Sequence, residues 1–244
     1  TRRADVARTL FYRRRKGTLP ALEELARDVT GWSVRTVPFF ELMVGTQNLN
    51  HRRDAGKTVA TRDLRTMDLL HGAFERTAHT VDVRAMTRRT GHYHPKRVGF
   101  FLWRLTNHHV DGSIARQQIA PDTHGYHFAP AGVFPADAPA PLFQRPVDLD
   151  SGVLAEERHM RQAIRRLAFF DDAAAFADTT VIPSIHSGNG VSFGPALQVT
   201  PMNLSAFAQP AAGIVGFDSR TGRISFAAGE VPAQVGVSYR NQEI

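Results

Sequence analysis

Two short helical patterns, each stopped by a glycine, fill the first 31 residues, and helical spacing does not return with the same clarity until residue 154. Ala4 to Lys16 carries an apolar stripe of Val6, Ala7, Leu10 and Phe11, and Gly17 ends it. Pro20 opens a second helix with Glu23 and Glu24 in its first turn, where the helix dipole favours acids. Its stripe is Leu22, Leu25, Ala26 and Val29, and Gly31 closes it. The pair is a helical hairpin with one apolar side, which must pack on something.

Beyond residue 31 the chain reads mostly as short strands. Trp32 to Val37 alternates like a strand that Pro38 interrupts. Leu64, Met67, Leu70 and Phe74 have roughly helical spacing within a mixed stretch. Thr80 to Arg84 and Val98 to Leu105 read as strands, the second apolar enough to be buried on both faces. Asp111-Gly112 marks a turn and Gly125 to Phe128 a further strand. Residues 129 to 146, with five prolines, read as a linker or irregular lid. Leu154 to Phe170 predicts a helix through Met160, Ile164 and Leu167, with acids early and Arg165 and Arg166 late. Short β-like runs come next at Val181 to Ile185, Val191 to Phe193 and Leu197 to Thr200. Ile214 to Phe226, around the polar turn Asp218-Ser219-Arg220-Thr221-Gly222, predicts a hairpin, and Val235 to Arg240 a third strand. The expected class is α+β: a hairpin (1–31), a β-rich domain (32–128), a Pro-rich linker with one helix (129–180), and a small β domain (181–244).

Charge is unevenly placed. Residues 1–105 hold 21 Lys+Arg against 10 Asp+Glu, while residues 106–244 hold 9 against 13. Only three of the thirty cations are lysine. A basic block suits nucleic acid, an anionic membrane surface or an acidic protein partner, and arginine suits protein interfaces because its weakly hydrated guanidinium forks onto carboxylates. No apolar run approaches the roughly 18 residues a membrane helix needs. No basic-then-apolar pattern marks a signal peptide. The chain is therefore expected to be soluble. Because it starts at Thr1 and ends four residues past a strand, it is also expected to be a segment of a longer protein.

Chemistry is sparse. With no cysteine, disulfides, thiolate metal sites and a Cys nucleophile are excluded. His92-x-His94, His108-His109 and His124-x-x-His127 are close pairs, but none sits in an ordered zinc frame such as HExxH. Gly188-Asn189-Gly190 lacks the Lys-Ser/Thr of a phosphate loop. Ser184 and Ser187 flank His186 without a GxSxG elbow. Asp171 and Asp172 are adjacent and so face different directions. No enzyme, cofactor or metal is expected. Nucleic-acid binding is the alternative, because helix, glycine turn and helix outline a helix-turn-helix. The second helix opposes it with Glu23, Glu24 and Asp28 against a single Arg27, which phosphate would repel. Arg13-Arg14-Arg15-Lys16 suits a nucleic-acid backbone and an acidic protein equally.

Val6-Ala7-Arg8-Thr9-Leu10-Phe11-Tyr12-Arg13-Arg14-Arg15-Lys16-Gly17-Thr18, continuing Leu22-Glu23-Glu24-Leu25-Ala26-Arg27-Asp28-Val29-Thr30-Gly31-Trp32, resembles the tail protein I-like baseplate wedge proteins. These occur in contractile-tailed phages and extracellular contractile injection systems, and the likeness to the injection-system members is closer. Thr77 to Arg84, Gly99 to Leu105, Gly213 to Phe226 and Val237-Ser238-Tyr239 are similar to later blocks of the family in the same order. The likeness is weakest over 106–150 and 171–212.

The resemblance implies a structural role. Such a subunit joins a second, tail protein J-like wedge protein in a heterotrimeric wedge, and six wedges ring the hub and spike, next to neighbouring wedges and sheath-initiating proteins. Assembly would take place in the bacterial cytoplasm, with no membrane partner. Val6, Leu10, Phe11, Leu22, Leu25 and Val29 are then expected to pack into an intersubunit bundle, with Arg13, Arg14, Arg15 and Lys16 on its rim. The alternative packing sets the hairpin on its own chain's β-domain.

Overall fold

The computed structural model describes residues 2–44, 62–85, 91–118, 127–129, 141–172, 184–188, 193–196, 199–206, 208–232 and 234–242. The chain is α+β, with N-terminal helices followed by strand-rich regions. It divides into two compact units, Thr1–Arg104 with Val147–Met160, and Leu105–Pro146 with Arg161–Ile244. These limits differ from the divisions at 31, 128 and 180 expected from composition, because residues 147–160 return to the first unit.

In the first unit, α1 (Arg2–Arg14) and α2 (Leu19–Thr30) form the hairpin. Pro20 lies in the first turn of α2, where a missing N–H costs nothing. Gly31 ends the helix at φ 73°, its N–H donating to Arg27 O at 2.7 Å; this left-handed cap favours glycine. Glu23 and Glu24, expected as exposed acids of the first turn, are instead one turn further in and buried. The reason is hydrogen bonding: Thr36 N–H (2.8 Å) and Ala155 N–H (2.7 Å) both donate to Glu23, and Ser151 Oγ lies 3.3 Å from each Glu24 oxygen. One carboxylate thus joins α2, β1 (Ser33–Pro38) and the returning segment.

β1 pairs antiparallel with β2 (Val98–Trp103), Val34 opposite Leu102 and Thr36 opposite Phe100. A small core of Val37, Phe39 and Leu42 packs with Tyr93 and Phe101. Contrary to the reading of 98–105 as a strand buried on both faces, Val98, Phe100 and Leu102 are exposed, because β2 belongs to a two-stranded sheet covered on only part of its surface. The helical spacing at 64–74 yields only the four-residue α3 (Leu64–Met67), N-capped by Asp63. Thr80 to Arg84 is not a strand. Asp82 folds the chain locally by accepting from Arg84 N–H (3.0 Å), its own N–H donates to Tyr93 O (2.7 Å), and the backbone before it forms a parallel bridge from His79 to Met43.

In the second unit, one sheet runs β4 (Arg116–Gln118), β5 (His127–Ala129), β10 (Ile224–Ser225), β9 (Val215–Phe217), β8 (Val199–Pro201). The other runs β3 (Asn107–Ile114), β11 (Gln234–Gln242), β6 (Ser184–Gly188), β7 (Phe193–Ala196). Leu142, Ile164, Phe169, Phe217, Ile224, Phe226, Val235, Val237 and Tyr239 belong to its core. The expected hairpin is the antiparallel pair β9–β10. The third strand, β11, lies in the other sheet. Asp111-Gly112 is a bulge inside β3 rather than a turn: the register slips opposite Ser238, Gly112 has φ 60°, and its N–H donates to Ser238 Oγ at 2.9 Å.

The helix expected over 154–170 is only α4 (Arg166–Asp171), preceded by a single 3-10 turn at Glu157–His159. Backbone pairing displaces it. Ile164 N–H donates to Leu142 O (2.7 Å), Gln144 N–H donates to Gln162 O (3.1 Å), and Phe143 bridges Ala163. The same bonds correct the reading of 129–146 as linker over its described end, where Leu142, Phe143 and Gln144 are buried.

Candidate assembly interface

The hairpin is clasped by polar groups rather than by its apolar stripe. Arg8 and Tyr12, one turn apart on α1, face Glu24 and Asp28, one turn apart on α2. Arg8 Nη1 donates to Glu24 Oε1 (2.7 Å) and Asp28 Oδ1 (3.1 Å), and the Tyr12 hydroxyl donates to Asp28 Oδ2. Burial alone lowers the pKa of Arg8, but Asp28 and Glu24 leave it raised overall. Burial, then the Asp28 hydrogen bond, pushes Tyr12 up to about 12. Sequence reasoning missed this clasp, because it takes the acids as outward-facing. The two matched i, i+4 pairs were the signal that could have found it.

With acids turned inward, the apolar stripe is left outside. Val6 is 75% exposed, Leu10 69%, Val29 63% and Leu25 38%, while Phe11 and Leu22 are half-buried. α2 packs against β1, and its buried residues are Ala21, Glu23 and Glu24, so the hairpin rests on its own chain through its other face. Arg13, Arg14, Arg15 and Lys16 are exposed at the hairpin turn. Arg15 lies over the Phe11 ring, 4.8 Å from its centre. The exposed apolar residues and the cations belong to one hairpin, a combination able to bury apolar surface and bind carboxylates together.

A second group also escaped sequence reading. Glu75 is buried, receives the Tyr93 hydroxyl at 2.8 Å, and lies 2.5 Å from His79 Nε2. The His79 and Tyr93 rings stack 3.6 Å apart, and Tyr93 Oη is 3.4 Å from His71 Nδ1. Burial and Glu75 raise the Tyr93 pKa. Among the described residues no group of three or more His, Asp or Glu is placed to hold a metal ion.

His92 and His94 lie in irregular chain before β2, and His108 and His109 lie on β3. His124, Asn189 and Gly190 lie outside the described residues. Ser184, His186 and Ser187 are on β6, and Asp171 and Asp172 end α4. Among the described residues no helix is long and apolar enough to cross a membrane. The chain matches no protein-family model, no curated protein and no solved structure.

Proposed function

We propose that this chain is a structural baseplate wedge subunit of a contractile injection system or phage tail, and not an enzyme. It joins a second, tail protein J-like wedge protein in the ring around the hub, in contact with neighbouring wedges and sheath-initiating proteins. Its assembly takes place in the bacterial cytoplasm, and its place is in the particle baseplate. The single observation that carries this reading is the exposure of Val6 and Leu10 on α1 and of Leu25 and Val29 on α2, on a hairpin whose acids are engaged internally. Helices that leave their apolar side open suit a bundle completed by another chain. In a baseplate such contacts would bias one of two packings, so that target contact releases sheath contraction.

The experiment co-expresses the chain with the neighbouring wedge protein and measures mass by size-exclusion chromatography with light scattering, at low and moderate salt. A discrete heteromer is expected, lost on replacing Leu10 and Leu25 by Asp. A monomer that ignores the partner yet binds DNA with steep salt dependence would instead support the nucleic-acid reading, which draws on exposed Arg13, Arg14 and Lys16.

A further inference from the structure

The β1–β2 register sets Val34, Thr36 and Pro38 directly opposite Leu102, Phe100 and Val98, so these six residues share one sheet face. Its two halves differ. On β1, against which α2 packs, Val34 and Thr36 are completely buried. On β2, Val98, Phe100 and Leu102 are 37%, 48% and 42% exposed. The open row is about 13 Å long at the usual strand rise. Exposed cations flank β2 in the chain, Lys96 in the turn that precedes it and Arg104 just past its end. Arg104 lies over the Trp32 ring, and among the described residues neither cation is paired with an acid. Phe40, two residues beyond Pro38, is also exposed.

We propose that this row is a second docking surface, which receives an acidic amphipathic helix from a partner protein. The occupant is a helix because a strand added at the β2 edge would leave the face open. Sheet faces are covered by a packed layer, and a helix of about ten residues spans the row. It is acidic because the chain on either side of β2 carries exposed cations that pair with no acid among the described residues. The unit that holds it carries 22 Lys+Arg against 14 Asp+Glu. A second copy of this chain has an apolar helix face to offer, at Val6 and Leu10 of α1, but that helix and its end carry Arg3, Arg13 and Arg14, so cations would meet cations. The proposal uses none of the hairpin stripe and stands apart from the baseplate reading.

The test uses the whole chain and two labelled synthetic helical peptides of about 18 residues. Both have a leucine stripe at i, i+3 and i+4 spacing; one is flanked by Glu and the other by Lys. Fluorescence anisotropy at low salt should show the Glu peptide binding at least tenfold more tightly. Phe100→Ser with Leu102→Thr should weaken it at least tenfold. Lys96→Glu with Arg104→Glu should transfer the preference to the Lys peptide, and this variant decides the matter if the first fails to fold. Leu10→Asp with Leu25→Asp should leave Glu-peptide binding unchanged. Equal binding of both peptides, no binding of either, or binding lost only with the hairpin variant would overturn the proposal. So would self-association of the chain, seen by light scattering, that Phe100→Ser removes.

Discussion

Replacing Glu23 by Ala separates two accounts of the same residue by magnitude. As an exposed acid in the first turn of a helix, Glu23 would contribute about 0.3–1 kcal/mol through the dipole. As the buried acceptor for Thr36 N–H at 2.8 Å and Ala155 N–H at 2.7 Å, its loss orphans two buried donors. Each orphan costs about 1–3 kcal/mol, so Glu23→Ala should remove roughly 2–6 kcal/mol. That is a large part of the about 5–15 kcal/mol typical of a domain. Glu23→Gln keeps one carbonyl acceptor but turns an amide donor towards the other N–H. It should fall between wild type and Ala, near one orphan's cost.

Trp32 and Trp103, the two tryptophans of the chain, both lie in the first unit, so the fluorescence transition in urea reports on that unit directly. The expected result is a fall in midpoint ordered wild type, Gln, Ala, with the slope unchanged. A cost below about 1 kcal/mol for Glu23→Ala would refute the buried-acceptor account and return the residue to the dipole role.

The same geometry sets four further outcomes. Leu10→Asp with Leu25→Asp touches exposed positions and should shift the urea transition by less than about 0.5 kcal/mol per site, while on the proposed reading it abolishes assembly with the second wedge protein. Gly99→Ala would set a Cβ 2.7 Å from the Phe39 ring, and should cost about 1–3 kcal/mol by overpacking, read in the same urea transition. Arg166 donates to the fully buried Asp218 through Nε (3.0 Å) and Nη2 (2.6 Å); Arg166→Met removes that fork, leaves Asp218 the weaker attraction of Arg223, and should cost about 1.5–3 kcal/mol, measured by thermal unfolding followed by far-ultraviolet circular dichroism. Tyr12 has a raised folded pKa, so its contribution is complete below about pH 10 and is lost as pH rises towards 12. Stability should therefore fall more steeply over that interval in wild type than in Tyr12→Phe, and parallel curves would contradict the clasp.

What is legible in the sequence is local chemistry. Gly17, Pro20 and Gly31 set the limits of two helices because caps depend on a few adjacent residues. The Asp218 to Gly222 turn announces its hairpin for the same reason, with Asp218 N–H donating to Arg223 O across it. Where partners are distant, pattern misleads. Met160 and Ile164 have helical spacing yet are buried outside any α-helix: Met160 N–H closes a single turn onto Glu157 O, and Ile164 N–H goes to Leu142 O instead of to its own turn. Gly112 reads as a turn because bulges and turns make the same demand for positive φ, and only the opposite strand distinguishes them. Of the hairpin, the apolar residues are legible, but not which helix face the protein itself covers.

That last point turns on a general asymmetry. Hydrophobic matching is non-directional, so a stripe of Leu22, Leu25, Ala26 and Val29 specifies that α2 must be covered but not by what. Hydrogen bonds to Glu23, Glu24 and Asp28 are directional, and each names a particular donor: Thr36 and Ala155, Arg8 and Ser151, Tyr12. Within the chain the directional set decides, because orphaning two buried N–H groups costs more than leaving partly solvated valines and leucines at the surface. The surfaces so left open carry Val6 and Leu10 on α1 and Leu25 and Val29 on α2, on a hairpin with exposed arginines. On the proposed reading, the same inversion that fixes the hairpin on its own chain is what makes it available to another.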